Sequence, residues 1–165
     1  MENIKIIRNL IKDYLELDDN HCYIYNNKIL IPEDKKLFVV LGILNSEVIG
    51  NNLSYRTTED KLIAITSTSF CTTYTIDIFS YDLSARQKQF EVINCLGSFQ
   101  ALQSQERNGY SIARIPNRFY DLSSLEASKM LNRYKADFKV IHKVEIEKEA
   151  SYFDKLSGFR TIINN

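Results

Sequence analysis

Across residues 2–17 the apolar side chains recur at the spacing of one helix face: Ile4, Ile7, Ile11 and Tyr14, with Leu10 beside them. Glu2, Arg8, Lys12, Asp13 and Glu16 take the other side, so the pattern predicts an amphipathic helix. Leu17-Asp18-Asp19-Asn20 then stops it, because Asp and Asn side chains compete for backbone hydrogen bonds and favour turns. Residues 22–31 break into short apolar pairs around Asn26-Asn27 and end at Pro32, an irregular connection with room for one short strand. The β-branched run LFVVLGILNSEVI over 37–49 predicts a strand, with Gly42 as a bulge or point of close approach. The polar stretch 51–60 reads as a loop.

Residues 62–81, LIAITSTSFCTTYTIDIFSY, contain neither Gly nor Pro and are dense in Ile, Thr, Tyr and Phe, which suit a pleated surface. Fully extended they would span roughly 65 Å at about 3.3 Å per residue, further than a small domain is wide. A strand that bends, or that projects as one arm of a long hairpin, follows from that length, and the polar middle Thr66-Ser67-Thr68-Ser69 suits a stretch outside the core. Ser84-Ala85-Arg86-Gln87 matches a capping box and opens a helix to about Gln105, with Val92, Cys95, Leu96, Phe99 and Leu102 as its buried stripe. Asn108-Gly109 closes it.

Tyr110–Ile115 forms a short strand before Pro116, and 117–126 reads as a loop. Over 129–147 the alternation is clean: Met130, Tyr134, Ala136, Phe138, Val140, Val144 and Ile146 face one way, and Arg133, Lys135, Asp137, Lys139, Lys143, Glu145 and Glu147 the other. That strand, paired with 62–81, is the expected long hairpin. The tail carries Tyr152, Phe153, Phe159, Ile162 and Ile163, which need cover from the chain itself or from a neighbour. The order helix, strands, helix, strands predicts a single α+β domain over 1–165: a mostly antiparallel sheet with a long β-hairpin, an N-terminal helix and one central helix packed on one face.

Charge narrows the choice of partner. The 21 basic and 21 acidic residues cancel, so there is no basic excess of the kind that non-specific nucleic-acid binding needs. No stretch approaches the length of about 18 apolar residues that a membrane span requires, which predicts a soluble, cytoplasm-made protein. Cys22, Cys71 and Cys95 are odd in number and widely spaced, fitting buried free thiols rather than a disulfide framework or a metal site.

The chain is poor in catalytic patterns. His21 reads as a surface-turn residue and His142 as a sheet histidine on the apolar face. No nucleophile elbow, HExxH or phosphate-cradling glycine loop occurs, and no cofactor is expected. The sharpest enzymatic reading is a Mg²⁺-dependent nuclease built on the D-x-K of Asp137-Phe138-Lys139, with Glu145, Glu147, Lys148 and Asp77 nearby. Alternating charge on a solvated strand generates the same pattern without any chemistry. Aromatic residues are plentiful, but Tyr134 and Phe138 fall on the core-facing side, away from the exposed basic face that RNA stacking would use.

In order of elements the sequence resembles the tail-terminator (tail-completion, neck) proteins of tailed phages. The likeness rests on the N-terminal amphipathic helix and turn, on TIDIFSYDLSARQKQFEVINCL, which is similar to that family's strand, turn and helix, and on DLSSLEASKMLNRYKADFKVIHK, which is similar to its polar loop and alternating last strand. Asp121-Leu122-Ser123 and Arg133–Lys139 match most closely; Asp82-Leu83 stands where the family usually has Gly. The resemblance implies a non-enzymatic virion protein, assembled in the host cytoplasm. It implies a homo-oligomeric ring, typically a hexamer, that caps the tail tube and meets the head connector, with DNA only passing through the lumen. A head–tail adaptor or another small tail protein is the alternative in the same structural class. On this reading the contacts to neighbouring subunits or to the tube fall to Thr66, Thr68, Phe70, Arg133, Lys135, Lys139, Lys143 and Phe159.

Overall fold

A computed structural model describes residues 2–25, 34, 36–58, 61–126 and 129–150. The tail residues, Phe159 among them, lie outside the described residues, as does the connection beyond Tyr25. Helix α1 (Glu2–Tyr14) buries Ile4, Ile7 and Ile11, as its spacing predicts. Leu15 rather than Tyr14 completes the stripe, being 5% exposed against 39%. The helix stops earlier than expected because Glu16 takes a left-handed φ of 55°, and the Leu17 N–H then donates back to the Lys12 carbonyl at 2.9 Å. A 3₁₀ turn (Asp19–His21) leads into strand β1 (Cys22–Ile24).

The strands that follow are β2 (Phe38–Thr58), β3 (Lys61–Ser80), β4 (Tyr110–Arg114), β5 (Tyr120–Asp121), β6 (Ser124–Glu126) and β7 (Lys129–Glu149); helices α2 (Ser84–Leu96) and α3 (Phe99–Asn108) separate β3 from β4. The sheet runs β1-β2-β3-β7-β4, with β5 and β6 also on β7, and every pair is antiparallel except β1 with β2. The fold is therefore α+β with a mostly antiparallel sheet. The helices cover one face: Ile7, Ile11, Val92, Cys95 and Leu96 pack on Val39, Leu41, Ile76, Ile78, Ala136, Phe138 and Val140. Cys22 and Cys95 are buried free thiols, which burial pushes up to about 11 and about 12.

Three expectations are corrected. First, residues 51–58 are strand and not loop, and the hairpin partner of β3 is β2, from Phe38↔Phe79 to Thr58↔Lys61. Ladder hydrogen bonds are made by the backbone, so the polar sequence NNLSYRTT can extend a strand whose side chains are exposed on both faces. Strand β7 lies on the other side of β3, paired from Ile63↔Glu149 to Ser80↔Asn132.

Second, the central helix is two helices. Gly97 ends α2, and Ser98 restarts the chain as the N-cap of α3, its hydroxyl accepting from the Ala101 N–H at 3.1 Å. The change of direction turns Phe99 and Leu102 outward, to 69% and 54% exposure, and leaves Ala101 as the buried residue of α3. Third, Ser84 does not cap α2. The Ala85 N–H donates to the buried Ser80 Oγ at 3.0 Å and the Ser84 N–H to Asp82 Oδ1 at 2.8 Å, so the cap comes from the end of β3. At the end of α3, Gly109 takes a φ of 64°, the left-handed position glycine favours.

Candidate functional site

The helical layer covers only the lower part of the sheet. On its face Tyr74, Ile76 and Ile78 of β3 are buried, and Thr72 is the last such residue to be so along the strand. Beyond it, β2, β3 and β7 continue together as a three-stranded arm of roughly 40 Å, at about 3.3 Å per residue. Its last backbone bond joins the Ala150 N–H to the Leu62 carbonyl at 2.8 Å. Register shifts between Ile43 and Asn45 and between Val48 and Gly50 mark two irregularities in β2, which bend and twist such ribbons. Among the described residues β1 pairs only with Val39–Leu41 and β4 reaches only to His142, so both long edges of the arm are free of strand partners beyond those points.

The two faces of the arm differ in character. Residues paired across strands share a face, so the helix-covered side continues outward through Val48–Phe70–His142, Asn51–Thr68–Val144, Leu53–Thr66–Ile146 and Tyr55–Ala64–Lys148. Val48, Leu53, Tyr55, Val144 and Ile146 are 62%, 55%, 60%, 42% and 54% exposed, an apolar stripe with no cover among the described residues. The opposite face holds Glu47, Asn52, Arg56, Ser67, Lys143, Glu145, Glu147 and Glu149, with Ile63, Ile65, Cys71 and Ile141 half-buried among them. There Arg56 bonds Glu147 at 2.9 Å, Lys61 bonds Glu149 at 3.1 Å, and Lys143 and the Ser67 hydroxyl bond Glu145 at 2.6 and 3.0 Å. Hydrogen bonds from Lys143 first and Ser67 second hold the Glu145 carboxyl below its ordinary value.

The residues expected to form one interface therefore divide between two faces. Thr66, Thr68 and Phe70 lie on the apolar side, whereas Arg133, Lys135, Lys139 and Lys143 point the other way. Arg133 is turned onto Asp77 and stacks its guanidinium 5.1 Å from the Phe79 ring centre. Phe79 in turn stacks on Phe38 at 4.7 Å. With Val40, Leu122 and Lys135 these groups line a groove of about 530 Å³ on the helix-free face. Lys139 and Asp137 lie in a smaller cleft of about 350 Å³ with Arg114 and Arg118. Sequence reasoning missed Val48, Leu53 and Tyr55; the spacing of two between Leu53 and Tyr55 was the one available signal, and it lay within a stretch rich in turn residues.

The parts of the nuclease reading do not converge. Asp77 is engaged by Arg133, and Glu145 and Glu147 stand about 25–35 Å beyond Asp137 along β7, at about 3.3 Å per residue. Among the described residues no three His, Cys, Asp or Glu side chains come together to hold a metal. His21 is buried rather than on the surface, its Nε2 2.8 Å from Asp34 Oδ2. His142 lies on the apolar face as expected, stacked on Phe70 at 5.5 Å between ring centres, and burial lowers its pKa. No described helix is long and apolar enough to cross a membrane. Compared with known proteins, the sequence matches no family model and no curated protein.

Proposed function

We propose that this chain is a structural subunit that assembles with copies of itself into a ring, as a phage tail terminator does, capping a tail tube and offering a surface to the head connector. The observation that carries this reading is the arm, which extends β2, β3 and β7 far past the helical layer and exposes an apolar face there. A chain gains nothing for its own stability by building such a face, because apolar surface stabilises only when water is removed from it. A neighbouring subunit removes that water, and a head-to-tail contact closes into a ring when its rotation permits. The self-paired charges on the opposite face suit a surface that stays wet, whether it lines a lumen through which DNA passes or meets the tube. A head–tail adaptor is the second reading and uses the arm in the same way.

Native mass measurement with negative-stain images of the same sample tests the proposal. Closed rings near six times 19.2 kDa are expected. A monomer at all accessible concentrations, remaining so with tube protein added, overturns it.

A further inference from the structure

The helical layer carries a second exposed apolar feature, on helix α3, whose C-terminal residues Asn108 and Gly109 lie beside His142 and Val144 at the base of the arm. On α3, Phe99, Leu102 and Glu106 fall at i, i+3 and i+7, one outward stripe, with Phe99 and Leu102 69% and 54% exposed and Glu106 exposed at its end. The helix-side stripe of the arm has the matching order on β7: Val144, Ile146, then Lys148. Leu102 to Glu106 is about 6 Å along a helix at about 1.5 Å per residue. Ile146 to Lys148 is about 7 Å along a strand at about 3.3 Å per residue. The step from apolar group to charge is thus about the same length on both surfaces, and the charges are opposite. Neither Glu106 nor Lys148 has an ion-pair partner among the described residues.

From this match we infer that the arm's apolar face is covered by helix α3 of a second copy of this chain, with Phe99 and Leu102 seated on Val144, Ile146 and Leu53 and with Glu106 against Lys148. The inference rests on the proposed self-assembly and names the surface that meets the arm. The sheet face that packs on helices within the subunit continues without its helical layer, and the neighbour supplies the missing part. The five apolar residues of the arm offer on the order of 500 Å², so the remainder of a stable interface of about 800 Å² per partner falls to the surroundings of the stripe. One surface meets a different surface, so the contact is heterologous and propagates from copy to copy.

Cysteine cross-linking decides the point. In a Cys71→Ser background, which leaves only the buried Cys22 and Cys95, one chain carries Leu102→Cys and a second, differently tagged chain carries Ile146→Cys. Coexpression followed by mild oxidation is expected to give a mixed disulfide dimer as the main product, with little product from either variant alone. Self-cross-linking of Ile146→Cys, or an assembled particle with no mixed product, overturns the docking while leaving self-assembly standing. A monomer in the same samples, remaining so with tube protein added, overturns both. As an independent readout, Lys148→Glu is expected to weaken association by roughly fivefold, and adding Glu106→Lys to restore it. Lack of restoration contradicts the pairing.

Discussion

Arg133 donates from Nε to Asp77 Oδ1 at 2.9 Å and holds Nη2 2.8 Å from the same oxygen, an ion pair across neighbouring strands of the sheet's helix-free face. Asp77 is only 8% exposed, so its carboxylate depends on this partner for what water would otherwise supply. Arg133→Ala leaves that charge buried without its guanidinium and removes the cover from Phe79. A loss of about 2 kcal/mol is expected in urea unfolding. Arg133→Lys should recover only part of it, because an ammonium cannot reproduce a planar guanidinium that pairs with the carboxylate along one edge while stacking on a ring. Equal stability of Arg133→Ala and wild type would show that the pair is not structural.

The start of α2 offers a sharper contrast. Ser80→Ala removes the acceptor of the Ala85 N–H in a fully buried position, and should cost about 1 kcal/mol, or roughly 3 °C in Tm. Ser84→Ala, which a capping box would make the damaging change, should have the smaller effect. Thermal unfolding of the two variants side by side checks the order.

Asp82 ties this cap to pH. Hydrogen bonds from Ser84, side chain first and backbone second, hold its carboxyl below the ordinary value in the folded chain. A depressed folded pKa means that the unfolded state takes up the proton first. The contribution is therefore present above the unfolded value of about 4 and is lost as pH falls below it. Asp82→Asn should flatten that part of the acid limb in stability measured from pH 6 to pH 3. An unchanged limb would place the acid sensitivity elsewhere.

Gly109 has a φ of 64° and nothing within 4 Å of where a Cβ would stand, so substitution there meets backbone strain alone. Gly109→Ala is expected to cost about 1 kcal/mol and Gly109→Asn less, since Asn tolerates the left-handed region. Denaturant unfolding of both variants distinguishes this from a packing effect, which would make the larger residue worse.

The sequence made the body of the fold legible wherever one face was buried. The stripe Ile4, Ile7, Ile11 and the alternation Tyr134, Ala136, Phe138, Val140 both identify core faces that the structure bears out. It was less legible where no burial imposes a period. Residues 51–58 form strand through backbone bonding alone, so their side chains carry no alternation strong enough to outweigh Asn51-Asn52. Phe99 and Leu102 fit the helical stripe of α2 only if the helix runs straight, and the break at Gly97-Ser98 turns them outward. The arm's apolar side, which the proposed assembly uses, was half legible for the same reason. Thr66, Thr68 and Phe70 lie on the arm's apolar side, but their neighbours Leu53 and Tyr55 come from a strand that its own sequence conceals.

Sedimentation velocity of the wild type beside Leu53→Ser/Ile146→Ser, at matched concentration, tests most directly whether the arm drives assembly. Both sites are half-exposed and lie beyond the helical layer, so the variant should keep the wild-type Tm within about 1 °C, as surface substitutions do. The wild type is expected to sediment as a closed oligomer and the variant as a folded monomer. Identical sedimentation of the two proteins, whether as oligomers or as monomers, would contradict an arm that holds the subunits together.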